Sequence, residues 1–186
     1  MAEIVAETER LVLRCEADGD QATWLAEINT PEVMEHLGGP QAPEKVAEAF
    51  AKMARPGEFP WLLVARKADG LLLGKCGFSR IETAAAPVAL QGQVQVGWTI
   101  RADCWREGYG SEAAAAALDL AFGRYGLARM FAQTSERNIA SARLIESLGM
   151  ERVPELDYVD PDYAPEDNPT VVFTIDRDRW LAREQA

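Results

Sequence analysis

Two short segments carry the residues whose types and spacing could do chemistry. Arg106-Glu107-Gly108-Tyr109-Gly110-Ser111-Glu112-Ala113 opens an alanine-rich helical run, and 30 residues beyond Gly108 comes Asn138-Ile139-Ala140-Ser141, closed by Leu148-Gly149-Met150. Glycines just ahead of a helix let the chain turn tightly, so that amide N–H groups and the positive helix end face one anionic group. That is chemistry for holding a phosphate, and Arg106 can add a charge-assisted contact. A plain strand-to-helix turn would use the same glycines without a ligand. Asn138, at the start of a helix, suits an N-cap. Ser141 lies one helical turn along the same face, where a small packed residue would also be tolerated.

The rest of the chain limits what else these segments could serve. At 186 residues it is expected to form a single domain, long enough to bury about 70% of its unfolded surface. No window approaches a membrane span and the N-terminus lacks a basic flank followed by an apolar stretch, which places the chain in the cytoplasm. A net charge of -11 argues against nucleic acid, whose binding is driven by Lys and Arg displacing counterions. Cys15, Cys76 and Cys104 are odd in number and widely spaced, which points to reduced thiols rather than a disulfide framework or a zinc site. That His36 is the only histidine rules out a multi-His metal centre and argues against a His-based triad.

Periodicity supplies the elements that must position the two segments. Arg10 to Glu16 alternates as a strand, Gly19 to Asn29 places Ala22, Leu25, Ala26 and Ile28 at helical spacing, and Pro43 opens a second helix with Val46, Ala47, Phe50 and Met53 on one face. Trp61 to Lys67 and Leu71 to Ile81 flank Asp69-Gly70, a hairpin signal. After a loop from Thr83 to Leu90, Gln91 to Ile100 is a strand with Val94, Val96, Trp98 and Ile100 on one face, which makes Trp98 a core residue. A helix from Gly108 to Arg124 buries Ala114, Ala117, Leu118, Ala121 and Phe122, leaves Glu112, Asp119 and Arg124 outside, and ends at Gly126. Ala128 to Thr134 is a strand, Asn138 to Leu148 a helix, and Met150 to Tyr158 and Thr170 to Ile175 are final strands parted by a proline-bearing loop. The order βααβββαβαββ predicts an α+β fold with one mixed, mostly antiparallel sheet, because the crossover through the central helix requires a parallel pair.

That order and four segments within it resemble the GNAT acetyltransferase superfamily, in particular its RimJ/RimL branch of ribosomal-protein N-terminal acetyltransferases. The segments are Pro31 to Pro40 (PEVMEHLGGP), Val94 to Trp98 (VQVGW), Trp105 to Ala113 (WREGYGSEA) and Asn138 to Met150 (NIASARLIESLGM). Trp105 stands where the superfamily pattern has Gln or Arg, an exchange familiar in this branch, and Arg106 takes a place that is usually glycine. The resemblance implies two splayed central strands, Gln91 to Ile100 and Ala128 to Thr134, opening a cleft for acetyl-coenzyme A. It implies that the backbone of Arg106, Glu107, Gly108, Tyr109, Gly110 and Ser111 holds the pyrophosphate. It also implies that Asn138 hydrogen-bonds the coenzyme and that Ser141 sits near its sulfur as a proton donor. No metal takes part.

Acetyl transfer to an amine needs a neutral nucleophile, donors for the carbonyl oxyanion and a proton for the departing thiolate. The family's oxyanion donors are backbone N–H groups near Val96, Gly97 and Trp98, where Gly97 would permit a bulge. An α-amino group, with a pKa of about 7.7, needs less help than a lysine-like amine at about 10.4. Many relatives carry Glu, as general base, at the position of Gln95. Glutamine cannot accept the proton, though it can orient a water or the amine, and Asp157 or Glu155 offer carboxylates from another element. Loss of the strand carboxylate leaves a second reading open, an acyl-coenzyme A-binding protein with weak or no transferase activity. Cys76 and Cys104 have no histidine close in sequence to activate them for an acyl-enzyme route.

His36 lies in the helical region that borders the acceptor cleft in relatives, where it would touch substrate or simply cap the surface. Six carboxylates and no Lys or Arg lie between Glu155 and Asp167, in a connection that the family brings towards the acceptor entrance. Such a loop would concentrate a basic protein N-terminus, a polyamine or an aminoglycoside-like amine, or would serve solubility alone. Exposure of the final strands and of Trp180 would make a homodimer reasonable, while Phe173, Ile175 and Trp180 are otherwise core candidates.

Overall fold

Alternation decides the first strands. In the computed structural model, which describes residues 2–54 and 57–183, Leu11 and Leu13 of β2 (Leu11–Arg14) are fully buried. They are paired antiparallel with a shorter strand β1 (Ile4–Glu7) on one side and β3 (Trp61–Arg66) on the other. β1 was not expected from the sequence, because a four-residue edge strand with Ile4 half exposed carries almost no periodic signal. β3 turns into β4 (Leu72–Arg80) at Asp69-Gly70 as expected, with Gly70 at φ 73 and the Gly70 N–H donating to Arg66 O at 2.8 Å. Later elements are β5 (Val94–Ile100), β6 (Arg129–Ser135), β7 (Glu151–Arg152) and β8 (Thr170–Asp176). The strands form one mixed, mostly antiparallel sheet in the order β1-β2-β3-β4-β5-β6-β8-β7.

The chain divides into two compact units, one running to Phe78 and including Trp98–Ala117, the other Ser79–Gly97 with Leu118 onward. In the first unit, α1 (Asp20–Thr23) continues as a wider π-type turn over Trp24–Ile28, and α2 (Pro43–Met53) starts with proline in its first turn. Trp24, Ile28, Val46, Phe50, Leu63 and Leu72 make its core, with Leu25 packed against it. Ala22 and Ala26, expected on the buried face, are exposed, since Trp24 and Ile28 four residues apart take that face. Buried Asp20 is held by Arg14 in a paired contact at 2.6 and 2.9 Å, which fixes the start of α1 against β2.

The helix α3 (Tyr109–Asp119) passes from the first unit into the second and ends in a π-type turn, Leu120–Arg124, before Gly126 at φ 62. Its expected stripe, Ala114, Ala117, Leu118, Ala121 and Phe122, is buried throughout. In the second unit, β6 pairs with β8 over seven consecutive residue pairs from Arg129–Asp176 to Ser135–Thr170. The parallel ladder between β5 and β6 consists of one pair, Gln95 opposite Phe131. Met150 to Tyr158, expected as a long strand, pairs only at Glu151 and Arg152 and through a single bridge at Tyr158. Pro154 lacks an N–H and opens a 3₁₀ turn to Leu156, and the Asp157 carboxylate takes the Val172 N–H at 2.9 Å where a strand carbonyl would have stood. A closing helix, α5 (Arg177–Ala182), was also unexpected, and it buries Trp180 against Phe122 with the indole N–H donating to Asp119 at 2.8 Å. Phe173, Ile175 and Trp180 are therefore core, while both residues of β7 are exposed.

Close backbone approach makes some glycines indispensable. A Cβ on Gly74 would lie 1.8 Å from the carbonyl oxygen of Thr99, whereas one on Gly92 would meet nothing within 4 Å. Gly74→Ala should therefore cost about 3 kcal/mol or more, a severe core defect, while Gly92→Ala should cost about 1 kcal/mol of left-handed strain. Chemical unfolding of the two variants beside the parent checks the difference.

Candidate functional site

The loop that opens α3 is fixed from both sides within the first unit. Arg101, buried, donates to Asp103 at 2.6 and 3.0 Å and to Glu27 at 3.2 Å, and its N–H reaches Leu73 O at 2.8 Å. Asp103 holds that guanidinium above its ordinary pKa. The Trp105 indole N–H donates to Ile100 O at 2.7 Å, so Trp105 serves as a clamp at the loop's entrance although its ring is partly exposed. Beyond the loop, Glu112 accepts from Thr8 Oγ1 at 2.5 Å, from the Arg10 N–H at 2.9 Å and from Arg10 Nε at 2.7 Å. Arg10 also donates to Glu107 O at 2.8 Å and lies over the Tyr109 ring at 4.5 Å. Arg66 is held by Asp69 at 2.6 and 3.0 Å, and that guanidinium lowers the Asp69 carboxyl to about 2.

Backbone conformation follows from this bracing. Arg106 has φ 65, the one non-glycine residue with positive φ among the described residues, and Gly108 has φ 81. Arg106 thus holds a left-handed conformation at a cost of about 1–2 kcal/mol for an L side chain. A Cβ on Gly108 would come within 3.2 Å of the Arg10 guanidinium. The first helical bond runs from Glu112 N–H to Gly108 O at 3.1 Å, so the amides of Tyr109, Gly110 and Ser111 lie ahead of it and have no partner within the helix. Arg106, Glu107 and Gly108 are exposed, and Gly110 and Ser111 half-buried. Exposed, left-handed and ahead of a helix, this turn can present N–H groups to a phosphate.

In the second unit, Asn138 caps α4 (Ile139–Ser147), its Oδ1 accepting the Ser141 N–H at 3.0 Å. Its amide nitrogen has no partner among the described residues, so capping and ligand binding are compatible in one side chain. Ser141 is half-buried. Along β5, Val94 and Val96 are buried but the alternation breaks after them, with Gly97 and Trp98 half-buried and Thr99 and Ile100 both buried. Trp98 is thus less enclosed than a core residue, and the break falls at the expected oxyanion donors. Gln95 accepts from Gln133 Nε2 at 2.6 Å. Arg10, Glu112 and Gln133 were not singled out from the sequence: the first two are remote in the chain, and one polar residue in a strand gives no periodic signal.

The remaining candidates fall elsewhere. His36 sits in a 3₁₀ turn, Glu35–Leu37. Asp157 is committed to Arg152 and to the Val172 N–H. Asp160 is buried, accepting from Thr83 Oγ1 at 3.3 Å and from Asp162 N–H at 3.0 Å. Glu155, Asp162 and Glu166 are exposed. Burial pushes the Cys76 thiol up to about 12 and raises that of Cys104, so neither is a ready nucleophile. Among the described residues no three His, Cys, Asp or Glu side chains are grouped to hold a metal ion, and no helix is long and apolar enough to cross a membrane.

The chain is similar to known proteins in sequence and in fold. The family described as acetyltransferase (GNAT) domain matches residues 10–151. An uncharacterized Bacillus subtilis protein, YkkB, is 32% identical over 149 residues, covering 77% of this chain and 83% of its own. YoaA of the same organism, described as an uncharacterized N-acetyltransferase, is 25% identical over 153 residues, covering 80% and 83%. The crystal structure of a GNAT-family acetyltransferase from Bacillus anthracis superposes with a TM-score of 0.74 at 23% identity, covering 94% of this chain and 98% of that one, which shows the shared fold.

Burial works to raise the Glu112 pKa, but the hydrogen bonds from Thr8 and Arg10 outweigh it and hold the carboxyl below its ordinary value. Its stabilisation is present above the unfolded value of about 4.3 and is lost as pH falls through the lowered folded value. Glu112→Gln should cost about 1–2 kcal/mol at neutral pH and flatten the acid limb below about pH 4, read from thermal midpoints across pH.

Proposed function

The chain belongs to the GNAT acetyltransferase family, and on that premise we propose that it moves an acetyl group from acetyl-coenzyme A to a primary amine by direct attack in a ternary complex. The observation that carries this reading is the parallel ladder of β5 and β6, which is a single residue pair where seven join β6 to β8. Strands that pair so briefly leave backbone groups for a ligand's own amides. The left-handed turn of Arg106 to Gly108, braced by Arg10 and Glu112, supports a pyrophosphate site on the N–H groups up to Ser111. Asn138 offers its amide nitrogen to the coenzyme while its oxygen caps α4. Ser141 supplies the proton that the leaving thiolate takes up, and the N–H groups near Gly97 and Trp98 receive the oxyanion.

The acceptor is a protein N-terminal α-amino group or a small cationic amine, in keeping with the RimJ/RimL branch, and the chain acts as a single-domain cytoplasmic enzyme. Gln95 holds no charge and Asp157 is committed to Arg152, so the amine gives its proton to solvent. That favours acceptors already partly neutral near pH 7. Incubation with acetyl-coenzyme A and a panel of amines, followed by thiol release, tests the reading. Amine-dependent release is the expected result. Coenzyme binding without release to any amine would instead make this an acyl-coenzyme A-binding protein. Ser141→Ala should lower kcat about tenfold or more with acetyl-coenzyme A affinity nearly unchanged, measured by steady-state kinetics beside direct titration.

A further inference from the structure

Gln133 Oε1 is, among the described residues, the one buried side-chain nitrogen or oxygen without a hydrogen-bond partner. Its own Nε2 donates to Gln95 Oε1 at 2.6 Å. Gln95 stands opposite Phe131 in the lone parallel pair, and Gln133 stands opposite Val172 in the β6–β8 ladder. Two residues from Phe131, Gln133 shares its face of the sheet. Phe131 and Val172 belong to an apolar cluster with Ile81, Ala86 and Leu90, against which Leu156 and Tyr158 pack. Native chains seldom keep a buried acceptor unmade, because in an apolar setting it forfeits water without recompense.

We propose, resting on the acetyl-transfer reading above, that Gln133 binds the acceptor amine and sets its class: Gln133 Oε1 accepts an N–H from a neutral α-amino group. A carboxamide pair accepts an N–H but lends no charge to an ammonium and takes up no proton. At pH 7 an α-amino group is neutral several hundredfold (about 400) more often than a lysine-like amine. The site therefore selects a peptide N-terminus over a polyamine. In the step itself the amine lone pair forms the N–C bond to the thioester carbonyl and the C–S bond breaks with its electrons on sulfur. The amine proton passes to solvent, and the thiolate is protonated. Tyr158, the titratable side chain packed on this cluster, has its phenol pushed by burial to about 12 and stays neutral throughout.

Three probes test the assignment on the full chain with saturating acetyl-coenzyme A: a lysine-free hexapeptide with a free N-terminus, an N-terminally blocked hexapeptide with one lysine, and spermidine. The free N-terminus is expected to show the highest kcat/KM. Gln133→Leu should raise its KM about tenfold, the value of one hydrogen bond, with acetyl-coenzyme A affinity by calorimetry unchanged. Gln133→Glu should carry the acid limb of kcat/KM to lower pH and improve spermidine relative to the peptide, changes that a packing role would not produce and that remain readable if the leucine variant fails to fold. Unchanged acceptor KM and pH profile in the folded variants, with coenzyme binding intact, would reduce Gln133 to packing or to holding a water and overturn the assignment. So would a wild-type preference for spermidine, or coenzyme binding with transfer to no probe. Failure of the wild-type chain to bind acetyl-coenzyme A would overturn the transfer reading first and this assignment with it.

Discussion

The bond between Arg10 and Glu112 governs the first unit. One guanidinium ties the edge of β2, the carbonyl of Glu107 and the first turn of α3 into a single piece, while the Tyr109 ring covers its face. A surface ion pair contributes little by itself. This one is reinforced by the Thr8 hydroxyl and by a backbone N–H on the same carboxylate, with Glu112 only 17% exposed, and such charge-assisted bonds are the stronger kind. Arg106 can hold a left-handed conformation because the chain on both sides of it is fixed: Trp105 is anchored to Ile100 O before it, and Glu107 and Glu112 are anchored to Arg10 after it. Strain of that kind persists where surrounding contacts over-determine it, and it collects at binding sites.

The second unit solves a different problem. Its long connection between β7 and β8 is dense in carboxylates, yet two of them are consumed internally, Asp157 by Arg152 and the Val172 N–H, and Asp160 by the turn it closes and by Thr83. Thr83 and Asp160 join the two loops of this unit, and Leu90, Leu156 and Tyr158 pack beneath them. A charged loop is thereby given shape, and Glu155, Asp162 and Glu166 face solvent. Next to that packed face the paired carboxamides of Gln95 and Gln133 carry hydrogen-bonding capacity and no net charge. An uncharged pair in this setting suits a nucleophile that arrives already deprotonated.

Much of this was legible in the chain itself, for reasons that differ by element. The stripe from Ala114 to Phe122 and the Asp69-Gly70 turn are local signals, set by period and by one residue's tolerance of positive φ, and both hold in the structure. The glycine-bearing turn ahead of α3 was readable for the same reason, whereas the left-handed conformation of Arg106 was not foreseen, because only its bracing by distant residues allows it. What escaped depends on partners distant in sequence. β1 exists because β2 offers an edge, α5 because Trp180 finds Phe122 and Asp119, and the truncation of β7 follows from a proline and a carboxylate that substitutes for backbone. Glu112 looked like a solvent-facing helix residue, since nothing local says that Arg10 will be beside it.

Acetyl transfer by this chain requires acetyl-coenzyme A to find the turn that opens α3. The most direct measurement is the thermal midpoint of the chain with and without saturating acetyl-coenzyme A, because a ligand at about 100 times its dissociation constant stabilises the native state by about 2.7 kcal/mol. A clear upward shift is the expected result. An unchanged midpoint in a folded, ligand-free preparation would contradict it.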